Sequence, residues 1–362
     1  MGERLPWSEP AWLHGLESPH YNESHRRFQK HVREYVDRHL LPHALEWEAA
    51  GEAPREVRER FAGSGLAFLD VPLEYRPRDQ QTVAGIPHQQ LDAFHELILM
   101  DEMARLPSGV AIALAGASNV GAPPIVHSGT DEQKRRWLPG LFSWQTSFCL
   151  AITEPTAGSD VGAIRTSAVL SADGSERVVV GGAAGGAGGG GQPDRARGRG
   201  FPIIVRNFNK ERFILTVDCN RQARECLAEA LRHAHERETF GRPLASHQII
   251  RAKLAALARD VEAHWAWLEQ LAHHVKRRGW QARDLAGPVA LAKIQGGRVV
   301  ERAVRESQQV HGGMAYERGK TITEQISRDL RLKVIGGGSE EILTDLAWRE
   351  EHKVAKEREA KL

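Results

Sequence analysis

Ten of the twenty residues from 181 to 200, GGAAGGAGGGGQPDRARGRG, are glycine. Glycine at this density loses more backbone freedom on folding than it can recover by packing. The chain is therefore expected to fold as two blocks, one on each side of this segment. Gly186-x-Gly188-x-x-Gly191 satisfies the spacing of a dinucleotide-binding loop and follows the strand-like ERVVV. That loop, however, needs a helix immediately afterwards to hold the pyrophosphate, and QPDRARGRG does not supply one. An Arg-Gly segment for RNA would need interleaved aromatic residues, which are absent here. A linker accounts for the composition. It does not account for the position, one hairpin into a sheet that never continues.

At 362 residues the chain exceeds what one hydrophobic core sustains, so two or three packed units are expected. Lys and Arg number 49 against 47 Asp and Glu, a net charge of +2 that gives no reason to expect nucleic acid or a membrane as partner. The three cysteines, Cys149, Cys219 and Cys226, read as free thiols, with Cys219 and Cys226 seven apart on one helix face and packed in the core. No HExxH or comparable ligand set occurs among 17 histidines, and no metal is expected. No run is expected to reach the ~20 apolar residues of a membrane span. The first ten residues, MGERLPWSEP, carry neither a secretory apolar region nor an Arg-rich presequence. Ala360-Lys361-Leu362 is a close variant of the Ser-Lys-Leu import tripeptide, so a peroxisomal location is expected, with cytoplasm or mitochondrion as alternatives.

Apolar residues at three- and four-residue spacing predict helices from Tyr21 to about His39, Arg55 to about Phe68 and Leu91 to Leu106. YRPRDQQTVAGIPHQQ, with turn formers and no period, predicts a surface loop. VLSADGSERVVV places an Asp-Gly turn between β-branched runs and predicts a hairpin. Beyond residue 205 the helical period returns. Ile250, Leu254, Leu257, Val261, Trp265, Leu268 and Ala272 form one stripe, a second helix runs from about Leu285 to Val310, and segments 209–236 and 339–355 complete the count of a four-helix bundle.

Five motifs follow in order: CLAITEPTAGSDVGAIRTSA (149–168), NFNKERF (207–213), RETFGRPLASHQ (237–248), QVHGGMAYE (309–317) and SRDLRLKVIGGGSEEI (327–342). Together they resemble the acyl-CoA dehydrogenase family of flavoproteins, over roughly residues 20–170 and 200–355. The resemblance implies a mainly α fold: an N-terminal helical domain (1–148), a truncated small β-domain (149–205) and a C-terminal four-helix bundle (206–355), followed by a tail (356–362). It implies FAD as cofactor, an acyl-CoA substrate, a homodimer or homotetramer, and an electron-transfer flavoprotein or oxygen as electron acceptor.

Residue by residue, the resemblance assigns Leu150, Ile152, Thr153, Gly158 and Ser159 to the flavin, with Ser159 also facing the thioester. Arg237, Thr239, Phe240 and Gln248 match contacts to the FAD diphosphate and adenosine of a neighbouring subunit, and Gln309, Gly312 and Gly313 a second such loop. Many members carry the catalytic glutamate just before the glycines of the last motif, where this chain has Gly336, which cannot act as a base. Isovaleryl- and long-chain-type members place it on the first bundle helix, and Glu211 stands at the matching interval, 29 residues before Phe240. Asn209 and Arg212 then fall beside the acyl-CoA. The alternative for Glu211 is a first-turn acid favoured by the helix dipole, with Asn209 as cap.

The family's β-domain also contributes a Trp-Ile/Val-Thr segment against the flavin, whereas no tryptophan occurs here between Trp144 and Trp265. The glycine tract then reads as a scar, left by a deletion or a mistaken gene model. Two functions stay open: an FAD-dependent dehydrogenase that converts acyl-CoA to trans-2-enoyl-CoA in fatty-acid or branched-chain oxidation, and a catalytically inactive helical remnant acting at most as an interaction partner.

Overall fold

A computed structural model of the chain describes residues 5–170, 177–180 and 200–360. The glycine-rich segment from 181 to 199, the Asp-Gly turn within 171–176 and the final Lys361-Leu362 lie outside the described residues. The fold is mainly α. The first block holds α1 (Glu23–His39), α2 (Leu41–Ala50), α3 (Arg55–Ala62), a two-stranded hairpin of β1 (Thr82–Val83) and β2 (Ile86–Pro87), and α4 (Ala93–Met103). An apolar helical run follows: α5 (Ser108–Ala111), a π-helical stretch Ile112–Gly116, α6 (Ala117–Gly121), α7 (Pro123–Ser128) and then α8 (Asp131–Trp137). β3 (Ser167–Leu170) pairs antiparallel with β4 (Arg177–Val180), as the hairpin signal predicts.

The second block holds α9 (Gly200–Val205), α10 (Phe208–Glu236), a hairpin of β5 (Glu238–Thr239) and β6 (Arg242–Pro243), α11 (Gln248–Arg278), α12 (Ala286–His311), α13 (Ile322–Ile335) and α14 (Glu340–Glu359). α10, α11, α12 and α14 are the four expected bundle helices. α13 packs on α10 and α12 beside them. The stripe from Leu254 to Ala272 is buried as its spacing requires, and Cys219 and Cys226 are fully buried on α10. Burial pushes the Cys219 thiol up to about 12, far from reactive.

The blocks share a core. Phe28, Phe94 and Leu97 of the first pack in one cluster with Phe213, Val217, Trp265 and Leu268 of the second. Charge reinforces this contact. Arg221 is fully buried on α10, where its Nε donates to Asp101 Oδ1 at 2.8 Å and its guanidinium also holds Glu9 at 3.1 Å. Arg224, equally buried, pairs with Glu262 and donates to the Trp7 and Glu9 carbonyls, both at 3.0 Å. These partners offset charges that would otherwise cost several kcal/mol to bury, while Arg224 Nε and Nη2 have no hydrogen-bond partner.

The helix expected from Arg55 to about Phe68 ends at Ala62, and two further sequence expectations are corrected. YRPRDQQTVAGIPHQQ is not a surface loop: Arg76, Gln80, Val83 and Ile86 are buried. The Arg76 guanidinium donates to the carbonyls of Phe68 (2.7 Å), Gly65 (3.2 Å) and Gln80 (3.3 Å), so one side chain organises a segment that has no period of its own. Secondly, Ser108–Ser128, 21 residues, is long and apolar enough to cross a bilayer by length and composition. Its apolar character has a use within the fold, as it walls the cavity described next.

Candidate active site

α10 begins with Phe208, and Glu211 stands in its first turn. The residues three, four, seven and eleven positions further on are Ile214, Leu215, Asp218 and Gln222. That spacing returns to one face of a helix. All five line a cavity of about 700 Å³. The opposite walls come from Leu99 and Met103 of α4, from the π-helical stretch, and from Leu150, Ile152 and Thr153. Gly121 lets this last segment lie against the helical run: a Cβ there would meet Cys149 N at 2.7 Å. Glu154, buried, fastens the segment's far end by accepting from the backbone N–H groups of Arg165 (2.9 Å) and Thr166 (2.8 Å).

Glu211 thus faces a cavity shared with the Thr153 loop rather than open water. Burial raises its carboxyl above the usual range, opposed by a hydrogen bond from Asn207 Nδ2 at 3.1 Å and by the Arg212 charge. Asn207, not Asn209, occupies the helix's N-cap position, which corrects the cap expected from the sequence. Asn209 is half-buried within the first turn. Arg212 donates from Nε to the Gly337 carbonyl at 2.9 Å and lies over the Phe208 ring. Gly337, at φ +71°, could carry a side chain only by crowding Leu215 and Arg212. Gly336 and Gly337 line the same cavity as Glu211. The two glutamate positions known in the resembling family therefore converge on one space here, with a carboxylate at one and glycine at the other.

Beside Glu211, the buried Lys210 ammonium reaches Asp70 Oδ1 at 2.5 Å and Glu96 Oε2 at 3.0 Å, tying α10 to the first block. Gly158 and Ser159 are exposed and stand outside the cavity lining. The remaining candidates gather elsewhere. Arg237 follows the last residue of α10, 26 positions beyond Glu211, roughly 39 Å along the axis at 1.5 Å per residue. Phe240, at the tip of the β5–β6 hairpin, is 95 % exposed and left-handed (φ +52°). Thr239 is half-buried, and Gln248, Gln309, Gly312 and Gly313 are exposed. Stacking of His233 on His311, ring centroids 4.7 Å apart, joins the ends of α10 and α12 and so brings both loops together.

Sequence reasoning missed Ser108, Asp218, Gln222 and Lys333, all on the cavity wall. Two of them, Asp218 and Gln222, share a helix face with Glu211, a spacing that by itself does not distinguish a cavity from solvent. Sequence reasoning also missed His25, Asp92 and His95, the one group of metal-ligand type found close together among the described residues. Asp92 caps α4, accepts from His25 Nε2 at 3.0 Å and pairs with Lys276 at 2.7 Å. His25 Nδ1 accepts from the Asn22 N–H that starts α1. These atoms are engaged in capping two helices.

Comparison with known proteins places this geometry. The N-terminal domain of acyl-CoA dehydrogenases matches residues 22–145, and the C-terminal domain matches 198–350. The chain belongs to the acyl-CoA dehydrogenase family. It is 32 % identical to acyl-CoA dehydrogenase AFT10-1 of Alternaria alternata, over 98 % of this chain and 97 % of that protein. It is also 32 % identical to acyl-CoA dehydrogenase apdG of Emericella nidulans, over 99 % and 98 % respectively. The alignment to AFT10-1 spans 419 positions against 362 residues here, so at least 57 positions of this relative of the family have no counterpart in the chain. The fold matches the solved acyl-CoA dehydrogenase of Bacillus anthracis, a complex with FAD, at TM-score 0.77 and 21 % identity, covering 95 % of this chain and 69 % of that one.

Proposed function

We propose that this protein is an FAD-dependent acyl-CoA dehydrogenase that converts an acyl-CoA thioester to its trans-2-enoyl-CoA, in fatty-acid or branched-chain acyl oxidation. One observation carries the reading: Glu211, a carboxylate raised by burial, lines one largely apolar cavity with Leu150, Ile152 and Thr153. The residues present fit the ring half of the cofactor and the acyl group. They do not offer a cradle for the diphosphate, because the lysines of the cavity wall are engaged, Lys210 by Asp70 and Glu96 and Lys333 by Ser108. The nucleotide half would be held by Arg237, Thr239, Phe240, Gln248, Gln309, Gly312 and Gly313 of a second copy, since Arg237 stands roughly 39 Å along α10 from Glu211 in the same chain. That reading takes the protein as a homodimer or homotetramer.

FAD, when bound, supplies the acceptor for the hydride that leaves the β carbon. Glu211 takes the α proton, and its raised pKa brings its basicity nearer that of the thioester's α carbon. The apolar walls would hold the acyl chain extended along α10. Arg212 stands outside the cavity lining, where its Nε holds the carbonyl of Gly337, which does line the cavity. Electrons would leave through an electron-transfer flavoprotein or oxygen. Ala360-Lys361-Leu362 supports a peroxisomal location, to be checked by deleting Leu362 and following the protein's distribution.

The absent positions favour a second reading, an inactive remnant of the family. Purified protein separates the two. Yellow protein whose flavin absorbance bleaches on adding acyl-CoA supports the enzyme, and Glu211→Gln should keep the colour and lose the bleaching. A colourless preparation would leave the remnant.

A further inference from the structure

The far end of the cavity does not look like a receptacle for a plain hydrocarbon. Leu99, Met103, Leu106 and Ile112 give apolar walls, but Ser108, Asp218, Gln222 and Lys333 line the same space. Gln222 is 2 % exposed, and its Oε1 accepts no hydrogen bond. Its Nε2 reaches only Ser108 Oγ, at 3.5 Å. Turning the amide round leaves Nε2 alone where Oε1 was. Asp218 is partly exposed to the cavity and makes no hydrogen bond among the described residues. Lys333 donates to Ser108 Oγ at 2.6 Å, its charge also acts on Asp218, and the Ser108 N–H donates to Asp329 Oδ2 at 3.3 Å. Two polar side chains with open valences therefore sit in a largely apolar cavity. Each is costly when filled by methylene and favourable when met by a hydrogen-bonding group.

Resting on the dehydrogenase reading above, we propose that the acyl group this site takes carries a hydroxyl near its distal end, received by Asp218 and Gln222. A hydroxyl can donate to the Asp218 carboxylate and also exchange a bond with the Gln222 amide in either orientation. A distal carboxylate would meet the Asp218 charge, and a plain chain would leave both side chains unpaired. Position follows from the helix. Asp218 and Gln222 lie roughly 10 and 16 Å along α10 from Glu211. An extended chain advances about 1.2 Å per bond, which puts the hydroxyl about nine to fourteen bonds beyond the carbon at Glu211.

The test compares dodecanoyl-CoA, 12-hydroxydodecanoyl-CoA and dodecanedioyl-CoA on the flavin-loaded protein, by calorimetric affinity and by bleaching. The hydroxylated thioester is expected to bind about tenfold to a hundredfold tighter than the plain one. That gap should close in Gln222→Leu and in Asp218→Leu. Equal affinities in the parent protein, tighter binding of the dicarboxylate, or a hydroxyl preference that survives both variants would overturn the proposal. The first two outcomes need no variant, so misfolding cannot mask them. Plain chains that bind and bleach as well as hydroxylated ones would refute the hydroxyl while leaving the dehydrogenase intact. Failure of every thioester to bind would remove both.

Discussion

Asp218 has its carboxyl pushed up to about 6, chiefly by burial, with Lys333 opposing and Asp101 adding to the shift. In an unfolded chain it would titrate near 4. The folded state therefore holds this proton more tightly, and stability falls as pH rises from about 4 through 6. Two units correspond to about 2.7 kcal/mol, and partial solvation of the side chain brings that to about 1–2 kcal/mol. Asp218→Asn should accordingly exceed the parent by that amount at pH 8 and match it at pH 4, measured by urea midpoints. Glu211, raised in the same direction, should make flavin bleaching accelerate with pH through a midpoint above the ordinary glutamate range. Glu211, which the fold places on the cavity lining, was singled out in the sequence by its interval to Phe240. Asp218 and Gln222 were not, because a polar residue seven or eleven positions along a helix looks the same whether it faces water or a cavity. Only the placement of α4 and the π-helical stretch against α10 tells the two apart.

Among the elements, α1 and α4 start within reach of one another, and Asp92 serves both. Its Oδ1 caps α4, accepts from His25 of α1, and its Oδ2 pairs with Lys276 of α11. Asp92→Ala should cost about 2–4 kcal/mol by chemical denaturation, more than a lone cap. Its carboxyl is held far below the usual range, with hydrogen bonds from His25 and His95 leading the causes that outweigh burial. Its contribution is thus present above pH 4 and lost as pH falls further, so the deficit of the variant should shrink in acid. Helices with long, branched apolar stripes, such as α11, were readable from spacing alone. The run from Ser108 to Ser128 was not, because its Ala, Gly, Ser and Pro residues mark no face. α2 showed no stripe because Leu45 faces outward while Ala44 and Trp47 are buried. The Arg76 segment has no period at all and depends on three carbonyls that sequence does not bring together.

For the whole molecule, the separation of Glu211 from Arg237 predicts that each site takes residues from two chains. Arg237→Ala should release flavin, and Glu211→Gln should hold it without bleaching. Mixing the two inactive proteins through an unfolding and refolding step should then recover roughly a quarter of parental activity, because half the dimers are mixed and each rebuilds one of its two sites. No recovery would place both sets of contacts within one chain. The glycine tract reads as a boundary in sequence, yet Phe94 and Phe213 share one core, and Arg221 reaches back to Glu9 across 212 positions. Cutting the backbone between residues 181 and 199 should therefore yield two fragments that elute together and melt together. Each would be a poor protein alone, lacking the charges and rings the other provides. A cell making this chain would have to shelter its first half until the ribosome has delivered the second.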